Sequence, residues 1–419
     1  MKFLSKVAFF ALSVLAFTTS LSRGQGSSYN LIGFGSPVRS SNPVIEAMGG
    51  VGAALEGSRT INDINPADWT WLNRARFDVA LRFEYSSSQL GSLQDQQHFV
   101  HFNGIAFGAP FWDDYKASIA LGYSPLTSAA SEIDYSDSIG TRSYVSKGGV
   151  NMLYLGVGAR PTPGISLGAR IDLITGDIRH QNRIAFNNTE SDSGEFERDY
   201  LVSGVRPTFG IELIGDSLGD ILNGFAFGAS YSFATNLTST RETIITPINS
   251  SLDTTMDVAG VGRYPASLVA GISYRLSYRY RAELDYSLQD YSTSYVYAPV
   301  AITGDPTLRS SNRIAFGIER APNGSGDFGT SFGLDKWALR IGFSYGQLPF
   351  SPGASNGVKE FAISGGVGIP ISYESLLNIT AVAGQRLPTV TGEAPNETFF
   401  RLGASVSLSE RWFVPTRRE

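Results

Sequence analysis

The chain has 419 residues and no cysteine, which excludes a disulfide framework, a thiol nucleophile, a cysteine-ligated metal and a lipid-modified N-terminal cysteine. A formal net charge of -5 without a long basic run excludes the charged face of a nucleic-acid binder. Charged residues make up 17% of the chain, aromatics 12%, and mean hydropathy is -0.04, a balance that suits apolar lipid-facing positions alternating with small or polar lumenal ones.

Residues 1–24 have the organisation of a secretory signal peptide. Lys2 and Lys6 form a basic start, Val7 to Phe17 an apolar stretch too short to span a bilayer, and Thr18, Thr19, Ser20 and Ser22 a small polar end. Its removal takes away Lys2, Lys6 and Arg23 and shifts the net charge from -5 to -8. No later window holds the roughly 18 uninterrupted apolar residues of a membrane helix, so any membrane crossing must be made by strands.

Residues 25–76 show no clean alternation. They are apolar and small around Gly49, Gly50 and Gly52, and then present Asn65 and Pro66. From residue 77 onward the pattern changes to period two, which places successive side chains on opposite faces of a strand. Ala282, Leu284, Tyr286 and Leu288 share one face, and Glu283, Asp285, Ser287 and Gln289 the other. Strands are expected near 77–87, 99–109, 116–125, 149–160, 165–178, 200–213, 225–237, 266–276, 280–291, 311–321, 337–347, 358–369, 376–384 and 399–409. The polar face carries glycine, alanine, serine and isolated charges of both signs, the character of a lumen rather than of a soluble surface. Connections mostly alternate between short and long, which assigns both chain ends to the periplasm. Five long ones are expected at 126–148, 179–199, 238–265, 292–310 and 385–398, a medium one at 88–98, and an unusually long periplasmic turn at Pro322 to Lys336. The fold class is thus all-β: a transmembrane antiparallel up-and-down barrel of about 14 strands over 77–413, with 25–76 as a lumenal hatch and 414–419 as a short periplasmic tail.

Three stretches resemble the FadL-type family of outer-membrane transport proteins. They are Ala47 to Ala54 followed by Asn62 to Ala67, Tyr264 to Leu268 running on to Asp285 to Tyr291, and Arg401 to Phe413. The third is similar to members from Bacteroidetes-type bacteria, and PorV-type barrels are more distant relatives. The resemblance implies a fourteen-stranded barrel in the cell outer membrane, an N-terminal hatch, and passage of hydrophobic small molecules such as long-chain fatty acids. The chain departs from the family pattern at its end, where Val414 to Glu419 follow Trp412 and Phe413.

The chemistry-bearing residues favour structure over catalysis. The three histidines are scattered, and His98 and His101 fall on opposite strand faces, so no metal site, catalytic residue or cofactor is assigned. The glycines at 49, 50 and 52 lack the following Gly-Lys-Ser/Thr of a phosphate loop and are assigned to close packing of the hatch, together with Asn65 and Pro66. Arg82, Glu84, Arg170, Asp172, Glu283, Asp285, Arg340 and Arg401 are assigned to a lumenal charge network, along with Asp78, Arg206, Glu212, Arg275, Arg313 and Glu319. Leu126, Ile133, Phe186 and Phe196, in the long connections, are the candidate contacts for an apolar ligand. Trp69 and Trp71 are candidates to seat the hatch; Trp112, Trp337 and Trp412 are candidates for an interfacial girdle. The expected partners are outer-membrane lipid and a hydrophobic small molecule. The alternative is a protein-binding accessory subunit of an outer-membrane secretion or assembly complex.

Overall fold

The computed structural model describes residues 26–57, 59–187, 194–247, 254–323, 334–351, 357–372 and 374–410. The expected signal peptide, Trp412 and the expected tail lie outside these residues.

The chain forms a closed antiparallel barrel of 14 strands. The wall opens with β2 (Ala75–Leu90) and β3 (Leu93–Trp112), preceded by a two-residue strand β1 (Ser36–Pro37) that lies outside the wall. Next come β4 (Ala117–Pro125), β5 (Thr127–Ser128), β6 (Ser131–Ser136), β7 (Gly140–Thr162), β8 (Ile165–Phe186) and β9 (Gly194–Ile214). The second half comprises β10 (Phe225–Ser232), β11 (Thr235–Pro247), β12 (Thr254–Tyr264), β13 (Ser267–Arg275), β14 (Tyr280–Asp290) and β15 (Tyr295–Ala298). β16 (Ser310–Arg320), β17 (Ala338–Gln347), β18 (Val358–Ser372), β19 (Ser375–Pro388) and β20 (Asn396–Glu410) complete it. The pairs β4/β6, β10/β11, β12/β13 and β14/β15 each occupy one wall position as two pieces, and β5, like β1, stands outside the wall. Closure is by β20 on β2, from Ala75–Glu410 to Gln89–Asn396.

Alternation decides which side of each strand meets lipid. Leu284 and Tyr286 of β14, Ile341 and Phe343 of β17 and Phe400 and Leu402 of β20 are exposed on the outer face, whereas Glu283, Asp285, Arg340 and Ser405 are buried within. In hydrocarbon every backbone N–H and C=O must be paired by the protein itself, and a closed ladder does this without leaving edges.

Each of the 14 expected strands has its counterpart, but the connections differ from expectation. The 88–98 connection is a turn at Gly91 and Ser92, with Leu90 paired to Leu93. The segments expected to be long loops at 126–148, 179–199 and 238–265 are largely strand. β7 begins at Gly140, β8 runs to Phe186, β9 starts at Gly194, and β11 and β12 pair as far as Ile245 and Thr254. Beyond the bilayer both faces of a hairpin are wet, so its side chains turn polar on both faces and the period-two apolar signal fades while the ladder continues.

The described residues before β2 fill the barrel interior. Helix α1 (Pro43–Ala47) starts at Asn42, whose side chain accepts from Val44 N at 2.9 Å, with proline at its first position. It packs on β17, β18, β19 and β20. The 3₁₀ turn Pro66–Trp71 is capped in the same way by Asn65, which accepts from Ala67 N at 3.1 Å, and it packs on β4, β7, β8 and β9 across the barrel. The stretch from Gly26 to Arg74 therefore bridges opposite walls.

Candidate functional site

The lumen is organised in three layers along the barrel axis. At the rim where β2 begins and β20 ends, Trp69 is fully buried, stacks on Tyr154 with centroids 6.1 Å apart and donates to Asn62 O at 2.8 Å. Trp71 donates to Glu212 at 2.9 Å beneath the Arg160 guanidinium. Both tryptophans anchor the lumenal segment. Gly168 and Gly210 are the wall positions against Pro66 and Asn65, where a side chain would overlap the turn.

The middle layer is ionic. The wall carboxylates of β14 hold three successive backbone N–H groups of the segment: Asp285 accepts from Gly52 at 2.7 Å and Ala53 at 2.9 Å, and Glu283 from Ala54 at 2.9 Å. Arg82 pairs with Glu46 of α1 at 3.1 Å. Asp172 takes Arg170 at 2.6 Å and Arg206 at 2.9 Å, and Arg170 also donates to Asp63 O of the segment at 2.7 Å. Arg340 pairs with Glu319 at 2.9 Å and Arg401 with Glu84 at 3.2 Å. Thirteen of the fourteen residues assigned to the charge network are thus lumenal, and several reach the segment directly; Arg275 instead stands part exposed at the rim, where it pairs with Glu56 and Asp216, each at 2.9 Å. At Gly49 and Gly50 the chain takes φ values of 75° and 84°, open to glycine without strain, and Gly49 N donates to Ser364 at 2.9 Å. Gly52 packs against Ile64.

Sequence reasoning missed the Arg386 hub, which binds Glu360 at 2.8 Å and Glu397 and approaches Glu84 at 3.9 Å. Arg386 lies two residues past the expected end of its strand, yet it keeps the inward parity of Thr380 and Val382. Extending the alternation would have found it.

The layer toward the opposite rim is apolar. Tyr29 and Phe34 of the segment pack with Val150, Ile174, Ile178, Val202, Leu237, Tyr264 and Phe350. This corrects the expectation of a wholly small or polar inner face. Of the four candidate ligand contacts, Leu126 sits between this layer and the Trp69 cluster and lines a lumenal cavity. Ile133, Phe186 and Phe196 lie on the extensions of β6, β8 and β9, paired with Tyr144, Gly140 and Asn182, and are not brought to that cavity.

A seam interrupts the wall between β3 and its neighbour. The β3–β4 ladder runs from Trp112–Ala117 to Ile105–Tyr123 and stops. β4 leaves the wall at Pro125, and residues 126–130 turn inward, where β5 pairs with β1: Ser36 with Ser128 and Pro37 with Thr127. β6 then rejoins β7, and Gln97 of β3 donates across the seam to Glu132 O at 3.0 Å. Behind the seam lies a cavity of about 60 Å³ that Phe99, His101, Ser128, Pro37 and Arg39 help to line. A second, of about 90 Å³, lies on the other side of the segment at Val38–Ser40.

A family model described as BamG matches residues 3–418. Among solved structures, the toluene transporter TbuX of Ralstonia pickettii is 15% identical with a TM-score of 0.58, over 91% of this chain and 99% of that one. A FadL homologue of Pseudomonas aeruginosa is 12% identical with a TM-score of 0.59, over 89% and 98%. The CymD monoaromatic hydrocarbon channel is 16% identical with a TM-score of 0.57, over 92% and 100%. These likenesses establish the fold as that of FadL-type outer-membrane barrels. No curated protein matches the sequence.

Proposed function

We propose that this chain, which belongs to the BamG family, takes up hydrophobic small molecules across the outer membrane by a route through the β3–β4 seam. The observation that carries this reading is the inward turn at 126–130: just past the point where the β3–β4 ladder stops, the chain leaves the wall and pairs, as β5, with the lumenal segment. A molecule partitioned into the bilayer or caught among the outer hairpins would meet the seam from the side. Size sets the next requirement. Cavities of about 60 and 90 Å³ fall well short of the roughly 300 Å³ at which small-molecule pockets begin. Entry therefore requires β1 to part from β5, and burial of apolar ligand surface supplies the driving force. Long-chain fatty acids are the narrower form of this proposal.

The cysteine-free chain makes the test clean. Ser36 and Ser128 are antiparallel partners, and such pairs have Cα atoms roughly 4.5–5.5 Å apart, within disulfide range. In S36C/S128C, the oxidised protein should lose uptake of a fluorescent fatty acid or toluene into proteoliposomes, and reduction should restore it. Equal uptake in both redox states would remove this route.

A second reading, a protein-docking subunit of an outer-membrane assembly, is favoured by the rim where β2 begins. There Arg275 pairs with Asp216 at 2.9 Å and Arg279 donates to Asp335 O at 2.7 Å, which ties three neighbouring turns into one ledge. The ledge exposes Ile221 at 94%, Tyr278 at 82% and Leu334 at 66%. Ordered apolar side chains held that far out suit a partner surface. Y278D/I221D should strip a stoichiometric partner from the purified barrel; unchanged composition would exclude this ledge as its docking surface.

A further inference from the structure

We propose that Arg39, Arg313 and Ser287 form a binding site for one small inorganic anion, between the lumenal segment and the wall. Arg39 and Arg313 are the two guanidinium groups that line both middle-layer cavities. The other arginines lining these cavities each have a carboxylate within 4 Å: Arg82 has Glu46, Arg386 has Glu360, Arg401 has Glu84, and Arg170 and Arg206 share Asp172. Arg39 and Arg313 have no such partner among the described residues. Arg39 donates to Gln289 at 3.0 Å and Ser311 at 2.9 Å, and Arg313 to the carbonyls of Gly49 and Gly50, all neutral acceptors. The carboxylates lining the cavities make their hydrogen bonds and ion pairs with other groups, and Asp285 and Glu360 act on Arg313 only from beyond ion-pair distance. Asp285 holds Gly52 and Ala53, Asp63 holds Ser40 and Ser41, and Glu46, Glu84 and Glu360 hold the arginines just named.

Two like charges, both partly buried and with only neutral hydrogen-bond acceptors, are costly, because partial loss of water weakens the hydration of each and each raises the energy of the other. An anion between them offsets both terms, and a guanidinium fork matches an oxyanion edge. The third residue is an independent pointer. Ser287 is the cross-strand neighbour of Arg313 and lines the 90 Å³ cavity, where its hydroxyl is buried without a hydrogen-bond partner among the described residues. Volumes of about 60 and 90 Å³ admit a halide or a tetrahedral oxyanion but no acyl chain. Since Arg39 belongs to the segment and Arg313 and Ser287 to the wall, the bound anion staples one to the other.

The experiment is thermal unfolding of the full chain in detergent, followed by tryptophan fluorescence, since Trp69 and Trp71 sit in the segment. Phosphate and chloride are titrated separately against gluconate at constant ionic strength. The wild type should show a saturable rise in Tm; S287A should shift its midpoint at least tenfold, and R39Q/R313Q should abolish it. Saturation with phosphate alone identifies an oxyanion site, and saturation with chloride a halide site. Heat-modifiable gel mobility checks that each variant holds a folded barrel. No saturable rise in the wild type, or the same rise in the double variant and in S287A, would overturn the proposal.

Discussion

Replacing Asp285 by alanine should release the lumenal segment while leaving the barrel closed. The carboxylate accepts two backbone N–H groups, from Gly52 and Ala53, and both are buried. Hydrogen bonds to a charged group contribute roughly 1.5–3 kcal/mol each, and an orphaned buried donor keeps its desolvation cost. Two such bonds give on the order of 3–6 kcal/mol. Glu283 lies two residues away on the same face, and relief of its repulsion places the net loss near 3 kcal/mol. D285N retains one oxygen as acceptor and should lose about half as much. The assay is trypsin cleavage at Arg59 of the folded protein, because cleavage of a transiently opened segment follows the open population. A loss of about 3 kcal/mol raises that population on the order of a hundredfold. The order of cleavage rates should be D285A above D285N above wild type, with L284A, on the lipid face, at the wild-type rate. Cleavage of D285A at the wild-type rate would show that these bonds do not hold the segment.

Other substitutions probe the remaining contacts. W69A removes a buried ring stacked on Tyr154 and should cost roughly 3–5 kcal/mol of segment stability by the same proteolytic measure. G342V should dislodge α1, since a Cβ at Gly342 overlaps the backbone of Met48 and Gly49; conductance of planar bilayers should rise above that of wild type, whereas unchanged conductance would mean that the segment adapts. Asp216 lies outside the spanning strands, and its carboxyl is held below the usual carboxylate range by the Gly224 N–H at 2.6 Å and then by Arg275. A depressed folded value means that this stabilisation is present above the unfolded value of about 3.9 and disappears as pH falls through the folded value. D216N should therefore destabilise the turn at pH 7 by less than about 1 kcal/mol, given its exposure, and match wild type once the pH is below the folded value. A difference that persists at that pH would contradict this.

The wall was legible in the sequence because one face of each strand must be apolar to meet lipid and the other small or polar to meet the lumen. Glu283 and Asp285 against Leu284 and Tyr286 show this in four residues. The hairpins beyond the bilayer were not legible: Gln94 to Gln97 and Ser86 to Ser88 are polar on both faces, so only the ladder reveals them as strand. The charge network was read by parity, but its pairing was not. Glu46 reaches Arg82 from a helix with no periodic signal, and Arg386 gathers Glu360 and Glu397 from neighbouring strands. The seam left no local mark either. The β3–β4 ladder ends at Tyr123, and the chain just beyond pairs at residues 127 and 128 with Pro37 and Ser36, nearly ninety positions earlier, a contact no local pattern announces.

The most direct test of uptake through this barrel is purification of the native protein in mild detergent, with mass spectrometry of everything that stays bound. A retained fatty acid or other apolar small molecule, without a stoichiometric protein partner, is the expected result. Partner proteins at fixed stoichiometry and no apolar ligand would contradict uptake and assign the barrel to a larger outer-membrane assembly.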